Sequence, residues 1–321
     1  MRLLRSSLLS LALAAAPASA SGQGSEAALF LLLPTGAQAV GMGQAMVAAT
    51  PGSEGIWWNP SSIASQKKRE LAVHHSTTIV GTGDALTFVL PSKSRGTAAL
   101  SLNILNLGEQ HITDETGAVI GVILPRFIVL GGTYAAQLGK RLRAGLTYKV
   151  LQLRIDCSGQ CTDVGTLSEG SRAADVGVQY ETTALAPLTF GLAIRNLGGK
   201  LNRSGTNERT PLPTLVEFGA TYRVPFIDHY VKDTEIFAAA TLLDSRTYGG
   251  KAIRLGTDVI YQGKVHLRAG FVGHDRLTET SAALGFGLES GPFVFDIARV
   301  FGGIPAEDGQ APIYISLRYL F

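Results

Sequence analysis

From about residue 68 onward, the chain breaks into segments of roughly ten residues in which apolar side chains recur at every second position. Successive side chains of a strand point to opposite faces, so each segment has one greasy face and one small or charged face. Val265, Leu267, Ala269 and Phe271 alternate with His266 and Arg268. Ile253, Leu255, Val259 and Tyr261 oppose Arg254 and Asp258, and Ala282, Leu284, Phe286 and Leu288 oppose Ser281, Gly285, Gly287 and Glu289. Beyond the leader no run of ~20 apolar residues occurs, as a membrane-crossing helix would need. If this chain enters a membrane it must do so as strands closed on themselves, because hydrocarbon offers backbone N–H and C=O groups no partner.

The segments are Glu70–Val80, Asp84–Leu90, Thr97–Leu107, Val122–Gln137, Leu142–Ile155, Ala173–Thr183, Leu188–Leu197, Thr214–Val224, Thr234–Leu243, Ala252–Tyr261, Val265–Val272, Thr280–Glu289, Phe293–Phe301 and Ile313–Phe321. That makes about fourteen, each of bilayer-crossing length. Connections after even-numbered segments are mostly short, as in Gln262-Gly263-Lys264, and those after odd-numbered ones mostly longer and polar, as in 156–172. Outer-membrane barrels have short periplasmic turns and long outer loops, and an even count places both termini on the periplasmic side. Two connections depart from the parity: Gly81-Thr82-Gly83 is too short and 225–233 too long. The expected fold is all-β, a closed antiparallel transmembrane β-barrel over 68–321.

Composition agrees. Only 17% of residues are charged and mean hydropathy is +0.20, unusual for an exported water-soluble domain but expected when apolar residues are dispersed along strands. The formal charge of +3 is too small for a nucleic-acid partner, and no basic stripe carries interleaved aromatics. Arg2 and Arg5, an apolar core over 8–16 and Ala18-Ser19-Ala20 have the form of a secretion signal, expected to be cut after Ala20. The only cysteines, Cys157 and Cys161, lie four apart in a loop-like stretch. Export favours a short disulfide between them, with free thiols as the alternative; no ligand set for a metal lies nearby.

Residues 21–67 do not alternate. Glycine- and alanine-rich, they are too irregular for a wall strand, and a fourteen-stranded barrel encloses a lumen its own side chains do not fill. This segment is expected to fold inside as a plug, its glycines permitting close backbone approach. Arg143, Lys149, Arg195, Arg223, Arg254, Arg268 and Arg318 share the inward face with Asp175, Glu217, Asp258, Glu289 and Asp296, and are expected to form ion pairs fastening plug to wall. Gly131-Gly132 and Gly219 are places where a strand could bend. His74 and His75 point to opposite faces and do not make one metal site. Gly41-Met42-Gly43 lacks the strand–loop–helix setting of a dinucleotide loop. Neither a cofactor site nor an arrangement for nucleophilic or hydrolytic catalysis is evident, so an enzyme is not expected.

Gly36-Ala37-Gln38-Ala39-Val40-Gly41-Met42-Gly43-Gln44-Ala45 followed by Trp58-Asn59-Pro60 resembles the N-terminal motif of the PorV/PorQ family, within the FadL-like barrels. Ile194-Arg195-Asn196-Leu197-Gly198 is similar to a recurring strand end in these proteins. The ending on Tyr319 and Phe321 resembles the signal by which outer-membrane barrels meet their assembly machinery. The resemblance implies a place in the outer membrane among its lipids, and a role in type IX secretion or surface attachment, with the translocon or its cargo as partners. The alternative it carries is a FadL-like channel for a hydrophobic ligand; a third reading is a sealed scaffold.

Overall fold

The computed structural model describes residues 28–92, 94–160, 167–182, 187–202, 209–225, 227, 230–245, 250–275, 280–302 and 311–321. The expected leader (1–20) and Cys161 lie outside them. The strands are β1 Glu70–Thr78, β2 Gly81–Ser92, β3 Gly96–Asn106, β4 Gln110–Thr113, β5 Val119–Leu138, β6 Leu142–Gly159, β7 Leu167–Thr182, β8 Leu188–Gly198, β9 Lys200–Asn202, β10 Arg209–Pro211, β11 Leu215–Arg223, β12 Thr234–Ser245, β13 Gly250–Tyr261, β14 Val265–His274, β15 Ser281–Ser290, β16 Phe293–Phe301 and β17 Ile313–Leu320. Fourteen of them form the wall. Each pairs antiparallel with its neighbour, β1 with β17 and β3 with β5, so the sheet closes. The short β4 lies against an extension of β5, and β9 and β10 form a separate ribbon.

Closure satisfies the ladder all round and leaves no edge. At the seam Glu70 pairs with Leu320 and Thr77 with Ile313, and Arg69 and Phe321 exchange backbone bonds of 3.0 Å just below. Phe321 stacks on Tyr319 with centroids 5.4 Å apart. Outside, Leu100, Leu130, Leu267 and Leu284 are all more than half exposed. Inside, the alternate positions carry the buried charges Lys149, Asp175, Glu217, Arg268 and Asp296. Tyr134, Tyr180, Tyr261, Phe293 and Tyr319 stand exposed towards the strand ends that share a side with Phe321, an aromatic girdle of the kind found at membrane interfaces.

Three sequence expectations change. The first hairpin turns at Ile79-Val80, and Gly81-Thr82-Gly83 is already paired in β2. A two-residue turn suits the twist of flanking strands, and a left-handed φ of 138° at Gly81 falls to the glycine. The connections read as 108–121 and 156–172 are partly strand, since β5, β6 and β7 run to 20, 18 and 16 residues and stand well beyond the β1–β2 hairpin. At these far ends β6 and β7 turn polar, whereas β5 is apolar at successive positions from Val119 to Leu124, so two-residue alternation fades while pairing continues. Finally, Gly131-Gly132 and Gly219 pair without interruption; the register shift falls between Ala174 and Val176 in β7.

Leu284→Arg places a charge on the outer face in the middle of β15. It is expected to cost ~2–4 kcal/mol in reversible unfolding from lipid vesicles, whereas Leu284→Ala costs less.

Candidate functional site

Residues 28–66 pack against inward-facing side chains around much of the circumference. Ala37 and Val40 bury with Ala283, Ala298 and Tyr314; Ile56 and Ile63 with Val89, Ala99 and Ala135; Ala28 with Val129, Leu151 and Ala173. Phe30 stacks on Phe127 at 4.1 Å. The segment holds one short helix, α1 (Ala37–Gly41), and 3-10 turns at Leu29–Leu32, Gly52–Trp57 and Pro60–Ser65. Wall glycines admit its backbone. A Cβ at Gly145 would overlap Pro60, at Gly177 Asn59, at Gly191 Val47, at Gly256 Met42 and at Gly270 Gly43. Gly36 and Gly43 have left-handed φ of 95° and 57°, and a Cβ would strike the Glu54 carboxylate at the first and the β13–β14 backbone at the second. Gly41 lies against Gly285, Ala39 donates its N–H to Glu54, and Met42 is buried beside Met46 and Trp58.

Trp58-Asn59-Pro60 is the central fastening. The Trp58 ring faces two guanidinium groups, Arg195 at 5.2 Å and Arg254 at 5.6 Å, and its Nε1 donates to Thr35 O at 3.2 Å. Asn59 Nδ2 donates to Val47 O at 2.7 Å and to Val178 O of β7 at 3.2 Å, while its Oδ1 accepts from Ser61 N–H at 3.1 Å and caps the following turn. Gln179 of β7 donates to Val47 O and Ala49 O.

The inward charges form three groups. Glu217 takes Arg195 through both oxygens (2.8 and 3.0 Å) and Arg254 at 2.7 Å, while Arg195 also donates to Trp57 O. Asp296 bridges Arg268 (2.6 Å) and Arg318 (3.1 Å), Arg268 reaches on to Asp258 (3.0 Å), and Arg318 donates to Pro51 O. Lys149, Asp175 and Asn196 form the third group, where the bulge in β7 and the left-handed Asn196 (φ 59°) let Asp175 accept Asn196 N–H at 2.7 Å. Arg143 is buried on the same side near the foot of β6. Arg223 does not join this interior. It pairs with Glu235 at 3.0 Å where both side chains are about half exposed, because it ends β11 at the rim. Glu289, though 42% exposed, lies 3.3 Å from the buried His266, which also meets Asp258 at 3.1 Å.

A fourth contact was not foreseen. Glu54, wholly buried, accepts Ala39 N–H at 3.0 Å and lies 3.1 Å from Ser316 Oγ of β17, which lies 2.8 Å from His74 Nδ1 of β1. Below it Glu70 receives the Ser53 hydroxyl at 2.6 Å and Gln66 at 2.7 Å. An acid inside a Gly/Ala-rich apolar stretch was the available signal. His75 points outward to Asp84 at 2.7 Å. Above this seam, Phe30, Leu33, Pro34, Asn103, Leu105 and Tyr314 line a cleft open at the barrel end away from Phe321. It encloses about 30 Å³, the volume of one water molecule.

No protein-family model and no curated protein matches the chain. Solved structures do match in fold. The toluene transporter TodX of Pseudomonas putida superposes with a TM-score of 0.61 at 12% identity, covering 88% of this chain and 96% of its own. The toluene transporter TbuX of Ralstonia pickettii gives 0.57 at 13%, covering 89% and 98%. A FadL homologue of Pseudomonas aeruginosa gives 0.56 at 14%, also covering 89% and 98%. The chain therefore has the closed fourteen-stranded fold of the FadL-like barrels.

Glu217→Gln leaves two buried guanidinium groups without their shared carboxylate. We expect it to cost ~3–5 kcal/mol, seen as a lower denaturant midpoint for the emission of Trp57 and Trp58, the only two tryptophans of the chain.

Proposed function

We propose that the protein is an outer-membrane conduit for hydrophobic small molecules, with residues 28–66 as its plug and both termini on the periplasmic side. The observation that carries this reading is an inner segment fastened by side chains and single backbone contacts, rather than by strand pairing, inside a barrel of the toluene-transporter fold. Such a segment can move without opening the wall ladder. With it seated, the rim cleft has room for one water, too little for an aromatic ring. Passage through that cleft therefore requires displacement of the plug. The partners are membrane lipid and a hydrophobic ligand, and Tyr319 and Phe321 serve recognition by the barrel-assembly machinery. The test is uptake of toluene by cells lacking the gene, with and without complementation. Slower uptake, restored on complementation, is expected; equal rates in all strains overturn the proposal.

A second reading is supported by the motif Gly36, Ala39, Gly41, Met42, Gly43 with Trp58, Asn59 and Pro60: a PorV/PorQ-like partner of type IX secretion. Tagged protein isolated from detergent-solubilised outer membranes would then bring down a large translocon or cargo. Its recovery alone, without translocon or cargo, removes this reading.

A further inference from the structure

Glu54 sits where the inner segment meets the seam between the first and last strands. Its carboxyl, Ser316 and His74 are all at most 3% exposed. The groups bonded to it are neutral: Ala39 N–H at 3.0 Å, Gln38 N–H at 3.4 Å and the Ser316 hydroxyl, which can donate or accept, at 3.1 Å. Among the described residues, the basic group within ion-pair range of Glu54 is His74, its Nδ1 3.6 Å away. The charged groups facing the site are already committed. Arg318 of β17 is bonded to Asp296 of β16 at 3.1 Å and lies 3.9 Å from Glu70 of β1, and Arg268 of β14 binds Asp296 at 2.6 Å. A carboxylate here is a further negative charge in a place that already holds two carboxylates around Arg318. A carboxylic acid fits better: Glu54 O–H donates to Ser316 Oγ, which also accepts Ala37 N–H at 2.8 Å and passes its own proton towards His74 Nδ1. One continuous chain of hydrogen bonds then joins the inner segment, β17 and β1.

We infer that Glu54 is a protonation latch: the inner segment seats on the β1–β17 seam with this carboxyl neutral, and its hold weakens when the proton leaves. Burial, the largest influence, raises Glu54 from 4.5 to about 7, with Arg318 pulling it down and Asp296 pushing it up. The bound state thus prefers the acid, and a displaced segment would return Glu54 to water and its ordinary range. Below pH 4.5 both states are protonated and seating is strongest. Between pH 4.5 and about 7, seating takes up a proton and weakens tenfold per pH unit, about two and a half orders of magnitude in all. Above that, both states are ionised and the effect levels off.

The inference rests on the conduit reading only for the purpose of the movement, and its test does not involve transport. Trp57 and Trp58 both lie in the inner segment, so acrylamide quenching of the full chain in lipid vesicles reports seating. The urea concentration that exposes them is measured from pH 4 to 9, with unheated gel migration confirming that the barrel stays folded. The midpoint is expected to fall between pH 4.5 and 7 and to stay level above, and Glu54→Gln is expected to abolish that slope. A flat wild-type profile, or a Glu54→Gln profile with the wild-type slope, overturns the latch. The wild-type profile decides by itself if the variant fails to assemble. Flat quenching with intact toluene uptake removes the latch and leaves the conduit; the opposite pair of results does the reverse.

Discussion

Every backbone amide in hydrocarbon must find its partner inside the protein, and an unsatisfied one costs several kcal/mol. Continuous pairing from β1 round to β17 meets that requirement. The rest of the architecture depends on this closure. A closed wall forces alternate side chains either into lipid or into a shared interior, so leucines and aromatics face outward while arginines, lysines and carboxylates accumulate within. Closure of fourteen strands also creates a lumen too wide for those side chains to fill.

Residues 28–66 pack against the inward-facing side chains, with polar anchors at defined places. Glu217 neutralises two arginines that press on Trp58. Asp296 joins two more, one of which holds Pro51 O. Asn59 reaches backbone carbonyls of its own segment and of β7. Removing a member of such a group is costly because its partner stays buried and charged. Between the anchors, inward glycines allow the segment's backbone to lie directly on the wall. Side chains position the segment while the wall pairs only with itself.

The barrel was legible in the sequence because its signal repeats: two-residue alternation sustained over fourteen segments, with connection lengths that sort by parity. Where alternation faded, at the far ends of β5–β7, the boundaries fell short, since β5 is apolar at successive positions there while β6 and β7 turn polar. The inward set of Arg195, Glu217, Arg254, Asp258, Arg268, Asp296 and Arg318 followed from the same parity. Arg223 had the right parity but lies at the rim, where water replaces the lumen. Glu54 and Ser316 went unnoticed, one in an irregular segment and the other an unremarkable serine in a strand, because neither carries a pattern until the two are adjacent.

Strand number, wall polarity and a separate glycine-rich segment ahead of the strands were determined by the sequence, since local alternation and composition are properties of neighbouring residues. Which charges meet, where β7 bulges, and which backbone rests on which glycine were decided only by tertiary structure. Glu54 and Ser316 are 262 positions apart, and their contact arises from the circular closure that brings the last strand back to the first.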